Sequence, residues 1–278
     1  MRRHSVLLLA GLGVAVLAAA GFATPLSNPQ TAQRGSSAVP VDVELVLAVD
    51  ISYSMDLDEL ALQREGYAQA LASREFMQAL RQGIHGKVAI TYFEWAGANE
   101  QKIVIPWRLI DGPEAADSVA AEIARAPLRR ASRTSISGAL MFAKPLFAGS
   151  GYRGLRRVID VSGDGANNHG PLVDLIRDEI VAEGIIINGL PIMLKRPNFA
   201  TLDINELDIY YEDCVIGGPG AFVVPVKERE KFTEAIRTKL VLEVAGLTPQ
   251  PRVVPVAARE PRVPCTIGER LWQQRWGN

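Results

Sequence analysis

Histidine and cysteine are scarce in this sequence. Its 278 residues include three His and two Cys, too few for a zinc ribbon or a disulfide-rich miniprotein. A metal site would therefore have to be built mainly from oxygen ligands. An excess of either charge is also lacking, since 30 Lys and Arg face 31 Asp and Glu for a net charge of −1. This balance provides no global attraction to nucleic acid or to an anionic membrane, and we expect no nucleic-acid partner.

The first 23 residues differ in character from the rest. Residues 1–4 are basic, residues 6–20 are apolar, and small residues around Ala20 and Ala23 offer two cleavage positions. This is the layout of a secretory signal peptide. The apolar run is shorter than the roughly 20 residues of a membrane span, which favours cleavage over the alternative of an uncleaved N-terminal anchor. We therefore expect a periplasmic or secreted protein with a net charge of −3 and no membrane span after cleavage.

Strand and helix patterns alternate beyond a polar, Pro-containing linker at residues 24–40. Short apolar runs predict buried strands, and helical spacing of apolar residues predicts helices. We predict strands at 43–50, 87–95, 101–108, 157–162, 185–188 and 221–225, and helices at 56–80, 111–126, 135–147, 171–183 and 226–245.

This alternation predicts one α/β domain over residues 41–245, with a doubly wound, mostly parallel, six-stranded sheet and helices on both faces. The short connection between the second and third strands permits only an antiparallel pair, so one edge strand is antiparallel. Residues 195–220 form an insertion before the sixth strand. Residues 246–278 are a Pro-rich, irregular tail that lies across the surface.

Oxygen-bearing side chains follow two strands that are neighbours in this topology. In doubly wound sheets, ligands bind at the carboxyl ends of the strands where the strand order reverses. With the strand order 3-2-1-4-5-6, this point lies after strands one and four. Asp50, Ser52 and Ser54 follow the first strand and project to one side if the chain stays extended. Asp164 follows the fourth strand, and Thr134 precedes a helix. Carboxylates and hydroxyls of this kind suit a hard cation.

Together these three loops resemble the von Willebrand factor type A (vWA) domain and its metal-ion-dependent adhesion site. The resemblance covers residues 41–245 and is carried by Asp50-x-Ser52-x-Ser54, Thr134-x-Ile136-x-x-Ala139-Leu140 and Asp164-Gly165. It implies that Mg²⁺ or Mn²⁺ is held by the hydroxyls of Ser52, Ser54 and Thr134, and by Asp50 and Asp164 directly or through water. It also implies that a partner protein presents a carboxylate to the ion. The whole arrangement is similar to secreted bacterial proteins that contain this domain and have no assigned function.

The fourth strand departs from the family pattern. Gly163 stands where the family has a hydroxyl residue, and Asp160 adds a carboxylate inside the strand. A period of two places Asp160, Ser162 and Asp164 on one face. Asp160 could therefore lie behind the metal ligands, or it could replace Asp164 as the acid near the metal. The position of Asp164 at the carboxyl end of the strand favours Asp164.

Features outside the three loops receive structural interpretations. Cys214 and Cys265 are expected to form a disulfide that ties the tail to the domain in an oxidising compartment. Trp272 and Trp276 are one helical turn apart and are expected to pin the tail. Residues 167–169, beside Asp164, are expected to form a solvated loop.

The sequence offers little material for catalysis. A phosphohydrolase of the haloacid type needs a second Asp where this chain has Ser52, and no Ser has Gly at both second neighbours as the α/β-hydrolase elbow requires. Only His85 and His169 remain after export, too few for most triads or zinc sites. We therefore expect a binding protein and not an enzyme. The alternatives are a metal-dependent hydrolase of the cell envelope and a structural envelope protein with a vestigial metal site.

Overall fold

The structure is a computed structural model that describes residues 38–194, 203–246 and 261–277. The elements in chain order are β1 (Val39–Asp50), α1 (Leu57–Leu71), α2 (Arg74–Arg81), β2 (Val88–Trp95), β3 (Gln101–Ile110), α3 (Pro113–Arg125), α4 (Ile136–Ala143), β4 (Tyr152–Gly163), α5 (Val173–Ala182), β5 (Ile186–Pro191), α6 (Leu207–Tyr210), α7 (Phe232–Ala245) and α8 (Ile267–Trp276). Short 3₁₀ turns follow α4 at Lys144–Gly149 and precede α7 at Arg229–Lys231, and one π turn, Tyr211–Val215, follows α6.

A five-stranded sheet with the order β3-β2-β1-β4-β5 forms the centre of the molecule. The β1–β2, β1–β4 and β4–β5 pairs are parallel, and only β3 runs antiparallel to its neighbour β2. From Val41 onward every residue of β1 is buried, as its run of branched apolar residues predicts for a central parallel strand. The α/β class, the antiparallel edge strand and the order of these five strands are confirmed.

The prediction of a sixth strand at 221–225 is wrong. This segment runs beside β5 and is joined to it by an isolated bridge between Gly189 and Val223, and a second bridge joins Val226 to Ile192 just beyond β5. Pro191 has no N–H group to donate, so the hydrogen bonds between the two segments are interrupted and no continuous ladder forms. The sheet therefore ends at β5.

Local hydrogen bonds divide the helix that was predicted over 56–80 into α1 and α2. Asp56 and Glu59 form a capping box at the start of α1, with each backbone N–H donating to the other residue's carboxylate at 2.8 Å. The helix ends at Leu71, and Ser73 Oγ accepts a hydrogen bond from Phe76 N at 3.1 Å to begin α2. A Ser cap of this kind can start a new helix within a sequence whose apolar spacing still looks continuous.

Helices cover both faces of the sheet, as predicted. Helices α1, α2, α3 and α7 pack on one face, where the core includes Tyr67, Phe76 and Phe232. Helices α4, α5 and α6 lie on the other face, where the core includes Leu140 and Tyr210. Among the described residues, no helix has both the length and the apolar character needed to cross a membrane.

The C-terminal tail is attached to the second of these faces. Cys214 and Cys265 form a disulfide with a Cα–Cα distance of 5.4 Å, which confirms the predicted pairing. The described part of the tail contains α8, so the prediction of an irregular tail is wrong for residues 267–276. The proposed signal peptide, most of the proposed linker, and residues 195–202 and 247–260 lie outside the described residues. The last residues of that linker already belong to β1, because Val39 pairs with Tyr152 of β4.

Candidate metal centre

The loops that follow β1 and β4 meet at one edge of the sheet. The two strands are adjacent and parallel, with Val49 opposite Ser162, so their carboxyl ends lie side by side. This geometry brings Asp50 and Asp164 together although 114 positions separate them in the sequence. Asp50 is completely buried, and Asp164 is 8% exposed.

A continuous series of hydrogen bonds joins the two loops. Asp50 Oδ1 accepts a hydrogen bond from Ser52 N at 2.7 Å, which turns the chain just after β1. The hydroxyls of Ser52 and Ser54 are 2.8 Å apart, and Ser54 Oγ donates to Asp164 Oδ1 at 2.6 Å. Four of the five proposed metal ligands are therefore in one cluster of oxygen atoms.

Thr134, in the loop before α4, lies beside the residue that follows Asp164. Its side chain lies against the backbone that follows Asp164, because a methyl group added to Gly165 would be 3.6 Å from Thr134 Oγ1. Two hydrogen bonds hold the loop there: Asn168 N donates to Thr134 O at 2.8 Å, and Thr134 N donates to Asn168 Oδ1 at 3.0 Å. The structure thus brings the five predicted residues to the same edge of the sheet, and their role as metal ligands stays a prediction.

The electrostatics of the site favour a bound cation. Asp50 Oδ2 is buried and has no hydrogen-bond partner among the described residues. Burial, followed by the negative charge of Asp164, raises the pKa of Asp50 well above its ordinary value. A positive ion between the two carboxylates would remove both unfavourable effects. The donor set of two carboxylates and three hydroxyls therefore fits a hard divalent cation.

No group of three or more His, Cys, Asp or Glu side chains suited to a metal occurs in the described part of the chain. This agrees with the composition of the candidate centre, which has only two carboxylates. Its remaining oxygen donors are the hydroxyls of Ser52, Ser54 and Thr134. A search for acidic clusters or His–Cys clusters alone would therefore miss such a site.

The glycine in place of the family's hydroxyl residue has a steric explanation. A methyl group added to Gly163 would lie 2.9 Å from Asp50 Oδ2 and 3.0 Å from the Tyr211 hydroxyl. Any larger residue at Gly163 would displace one of these two oxygens. Sequence analysis missed Tyr211, because it belongs to the insertion and no motif marks it. Its side chain brings another hydroxyl to the back of the site.

Ser162 lies behind the proposed metal ligands, whereas Asp160 belongs to a different cluster. Ser162 Oγ donates to Gln63 Oε1 at 3.1 Å, and Gln63 Nε2 donates to Asp50 O at 3.0 Å. Gln63 thereby braces the end of β1. Asp160 instead faces α7, where its Oδ1 is 2.5 Å from Lys239 Nζ. This pairing leaves Asp164, the residue after β4, as the acid that contacts Ser54.

Asp160, Lys239 and Glu243 form a buried ionic cluster beneath the sheet. Lys239 Nζ is also 2.5 Å from Glu243 Oε1, and all three side chains are at most 1% exposed. Asn188 Nδ2 donates to Glu243 Oε1 at 3.2 Å. Burial, followed by the charge of Asp160, raises the pKa of Glu243 to about 7. Two acids share one cation, and protonation of one of them would balance the charge.

We expect this cluster to make stability depend on pH between about 4.5 and 7. Because the pKa of Glu243 is raised on folding, its contribution to stability is complete at low pH and is lost as the pH rises through about 7. Glu243→Gln imitates the protonated side chain. Relative to wild type, this variant should therefore gain stability between pH 5 and pH 8, as measured by urea unfolding. Glu234→Gln, on the same helix, should show no comparable trend, and an equal pH response of both variants would contradict the prediction.

The expectation of a solvated loop at 167–169 is wrong for Asn167, which is completely buried. Asn167 Oδ1 accepts hydrogen bonds from Ser137 N at 3.0 Å and Ser137 Oγ at 3.1 Å. Together with the bonds between Asn168 and Thr134, these contacts connect the loop after β4 to the start of α4. A pair of Asn residues after a strand is common in loops, so the sequence carried no signal for this role.

A cleft of about 230 Å³ opens beside Asp164. Ile192, Met193 and Leu207 contribute apolar walls, and Lys227 also lines the cleft. In the loop after β1 and at the start of α1, Tyr53 and Leu57 are 59% and 55% exposed. The oxygen cluster is thus bordered by accessible apolar surface.

The five-stranded sheet with one antiparallel edge strand and helices on both faces is a vWA-like fold. The sequence profile of a family described as a protein of unknown function (DUF1194) matches residues 40–248, and the chain belongs to that family. No curated protein matches the sequence significantly.

Solved structures with the same fold include proximal thread matrix protein 1 from the mussel byssus with a zinc-occupied MIDAS motif (15% identity, TM-score 0.51, covering 74% of this chain and 48% of that one). A von Willebrand factor type A protein from Catenulispora acidiphila is similar, with 14% identity and a TM-score of 0.50 over 74% of this chain and 43% of that one. The pilus adhesin SpaC from Lactobacillus rhamnosus GG is also similar, with 12% identity and a TM-score of 0.52 over 75% of this chain and 31% of that one. The chain spans less than half the length of each of these structures, and at such identities the similarity shows the fold alone.

Proposed function

We propose that this protein is an exported binding module that holds Mg²⁺ or Mn²⁺ and captures a carboxylate of a partner protein. The observation that carries the proposal is the oxygen cluster in which Ser54 joins Ser52 to Asp164 next to the unpartnered Oδ2 of Asp50. Asp50, Ser52, Ser54, Thr134 and Asp164 would hold the ion. The zinc-occupied MIDAS motif of the mussel matrix protein supports a divalent ion at such a site.

Each part of the site has a defined role in this proposal. The bound ion would supply a positive charge that attracts an external carboxylate. Asp50 and Asp164 offset that charge only formally, because the hydroxyl donors are neutral. Gln63 and Asn168 hold the two loops in position through backbone oxygen and N–H groups. Exposed Tyr53 and Leu57 provide apolar surface for the partner around the charged centre.

Export to the periplasm or the cell exterior is part of the proposal. Its support is the N-terminal sequence pattern together with the Cys214–Cys265 disulfide, since disulfides persist in oxidising compartments. Two proteins that share the fold are a matrix protein of the mussel byssus and a pilus adhesin. No residue arrangement at the site calls for a catalytic role, and we propose binding without turnover.

We expect Mg²⁺ or Mn²⁺ to stabilise the folded protein. A ligand at about 100 times its Kd adds ~2.7 kcal/mol to the free energy of unfolding. Asp50→Asn should remove this increment because it removes one of the two carboxylates. In EDTA the same variant should unfold no more readily than wild type, since Asn retains an oxygen for Ser52 N and relieves the repulsion from Asp164. Thermal and urea unfolding with each metal and with EDTA would measure both effects.

The matched control is Asp58→Asn, which changes an exposed carboxylate in the first turn of α1 and should retain the metal increment. Identical unfolding of wild type in EDTA and in millimolar Mg²⁺ or Mn²⁺ would overturn the proposal. Partner capture is tested with immobilised protein and an envelope extract. A partner should be retained by wild type in Mg²⁺, and it should be lost in EDTA and with Asp50→Asn.

A further inference from the structure

The C-terminal segment at residues 261–277 lies on both loops that complete the candidate metal centre. Trp272 of α8 stacks on Arg133, with the guanidinium carbon 3.1 Å from the ring centroid. Glu269 of α8 accepts a hydrogen bond from Asn167 Nδ2 at 2.7 Å. Arg133 directly precedes Thr134, and Asn167 lies three residues after Asp164. One helix thus contacts both loops within a few residues of a proposed ligand.

The backbone next to Thr134 has a conformation that needs support. Arg133 has φ +74°, and it is the only non-glycine residue in the described part of the chain with a positive φ. Residues other than glycine rarely adopt this left-handed region, and they remain there only when their surroundings hold them. The stacking of Arg133 on Trp272 is a contact of this kind. It fixes the side chain of the strained residue and thereby the direction in which the chain enters Thr134.

The contact at Asn167 is equally close. A methyl group added to Gly268 would lie only 2.0 Å from Asn167 O, so α8 packs directly on the backbone of this loop. Asn167 also receives the hydrogen bonds from Ser137 described above. Its amide therefore connects α8 to α4, and the loop after Asp164 lies between the two helices.

Covalent and ionic bonds secure this segment to the domain. The disulfide joins Cys265, two residues before α8, to Cys214. Arg262 Nη2 lies 2.6 Å from Glu212 Oε2 and 2.8 Å from Asp213 Oδ1. The segment is thus attached on one side to the π turn after α6 and on the other side to the loops of the metal centre. Its position is fixed independently of the loops that it contacts.

We infer that α8 is a positioning element of the metal centre, in which Trp272 and Glu269 hold the Thr134 and Asp164 loops in the arrangement that binds the ion. The inference rests on the proposed function, because it concerns the affinity of the same site. Residues that hold metal ligands in place typically contribute roughly 10–100-fold to metal affinity. Neither Trp272 nor Glu269 belongs to the oxygen cluster, so their effect must pass through the loops.

The test is a Mn²⁺ titration of the full exported chain, followed by electron paramagnetic resonance of the free ion. Trp272→Ala should raise the Kd for Mn²⁺ about 10–100-fold, while the unfolding midpoint in EDTA stays close to that of wild type. Trp272→Phe keeps an aromatic face for Arg133 and should restore most of the affinity. The control Gln274→Ala alters an exposed residue of the same helix and should bind as wild type does.

Glu269 provides a second pair of variants in case Trp272→Ala does not fold. Glu269→Ala removes the acceptor for Asn167 Nδ2 and should weaken Mn²⁺ binding, whereas Glu269→Gln keeps an oxygen acceptor and should not. The inference would be overturned if Trp272→Ala and Glu269→Ala both bound Mn²⁺ with unchanged affinity. It would also be overturned if their affinity for Mn²⁺ fell only in proportion to their loss of overall stability. Absence of Mn²⁺ binding by wild type would instead overturn the proposed function, and the two failures are therefore distinguishable.

Discussion

Lys239→Met is expected to lower the free energy of unfolding by about 3–5 kcal/mol at pH 8, the range observed when one partner of a buried ion pair is removed. Lys239 Nζ is 2.5 Å from a carboxylate oxygen of both Asp160 and Glu243, and no member of the cluster is more than 1% exposed. Methionine keeps the length and the apolar character of the lysine stem. The expected loss of stability is therefore caused by removal of the charge and not by a cavity.

The destabilisation of Lys239→Met should grow with pH. Without the cation, both acids can remain buried only when they are protonated. As the pH rises, ionisation of the two acids in the unfolded state therefore favours unfolding. Urea unfolding at pH 5 and pH 8 should show a smaller loss at the lower pH. Adding Asp160→Asn and Glu243→Gln to the same chain removes the unpaired charges and should restore most of the stability. Wild-type stability of Lys239→Met at pH 8 would show that the cluster is not ionised as described.

This cluster also explains why a carboxylate inside β4 does not belong to the candidate metal centre. Alternation along the strand does place Asp160 on the same side as Ser162. However, neighbouring side chains on one face of a strand are two residues apart, so Asp160 is well separated from the end of β4. Asp160 therefore lies deeper in the sheet, opposite α7, and it pairs with Lys239. The alternating pattern of the sequence indicated which face of the strand Asp160 occupies. Its partner Lys239 lies on a helix 79 positions away, and spacing in the sequence could not identify it.

Sequence reasoning succeeded where short-range patterns carry the information. Buried parallel strands are apolar throughout, which identified β1 and β4 and placed Asp50 and Asp164 at their carboxyl ends. Sheet topology then brings the two residues together without any knowledge of side-chain contacts. The order of the five strands and the loops of the site were predictable for this reason.

Long-range packing accounts for what was missed. The hydroxyl of Tyr211 reaches Gly163 from the insertion, and Asn167 is buried because α8 covers it. The local sequence around each of these two residues does not distinguish it from an ordinary loop residue. The break after Leu71 depends on whether Ser73 caps a helix or lies within one, and both are common for Ser. The prediction of a sixth strand was wrong because Pro191 cannot donate one of the hydrogen bonds that the apolar run alone would suggest.

Reduction of the Cys214–Cys265 disulfide is expected to lower the free energy of unfolding by about 4 kcal/mol. The bond closes a loop with a sequence separation of 51, and the chain-entropy model assigns this amount to a loop of that length. Guanidinium unfolding of the oxidised and reduced protein would measure the difference. The double variant Cys214→Ser/Cys265→Ser should match the reduced protein and should not respond to reductant.

The same experiment separates the covalent bond from the contacts around it. Cys265 and Val263 are buried, and Arg262 forms ion pairs with Glu212 and Asp213. These surface ion pairs are individually weak, so they cannot replace the disulfide in holding α8 on the loops. Reduction should therefore also weaken Mn²⁺ binding and change the fluorescence of Trp272 before global unfolding begins. Reduced protein with undiminished stability and Mn²⁺ affinity would show that packing alone holds α8 in place.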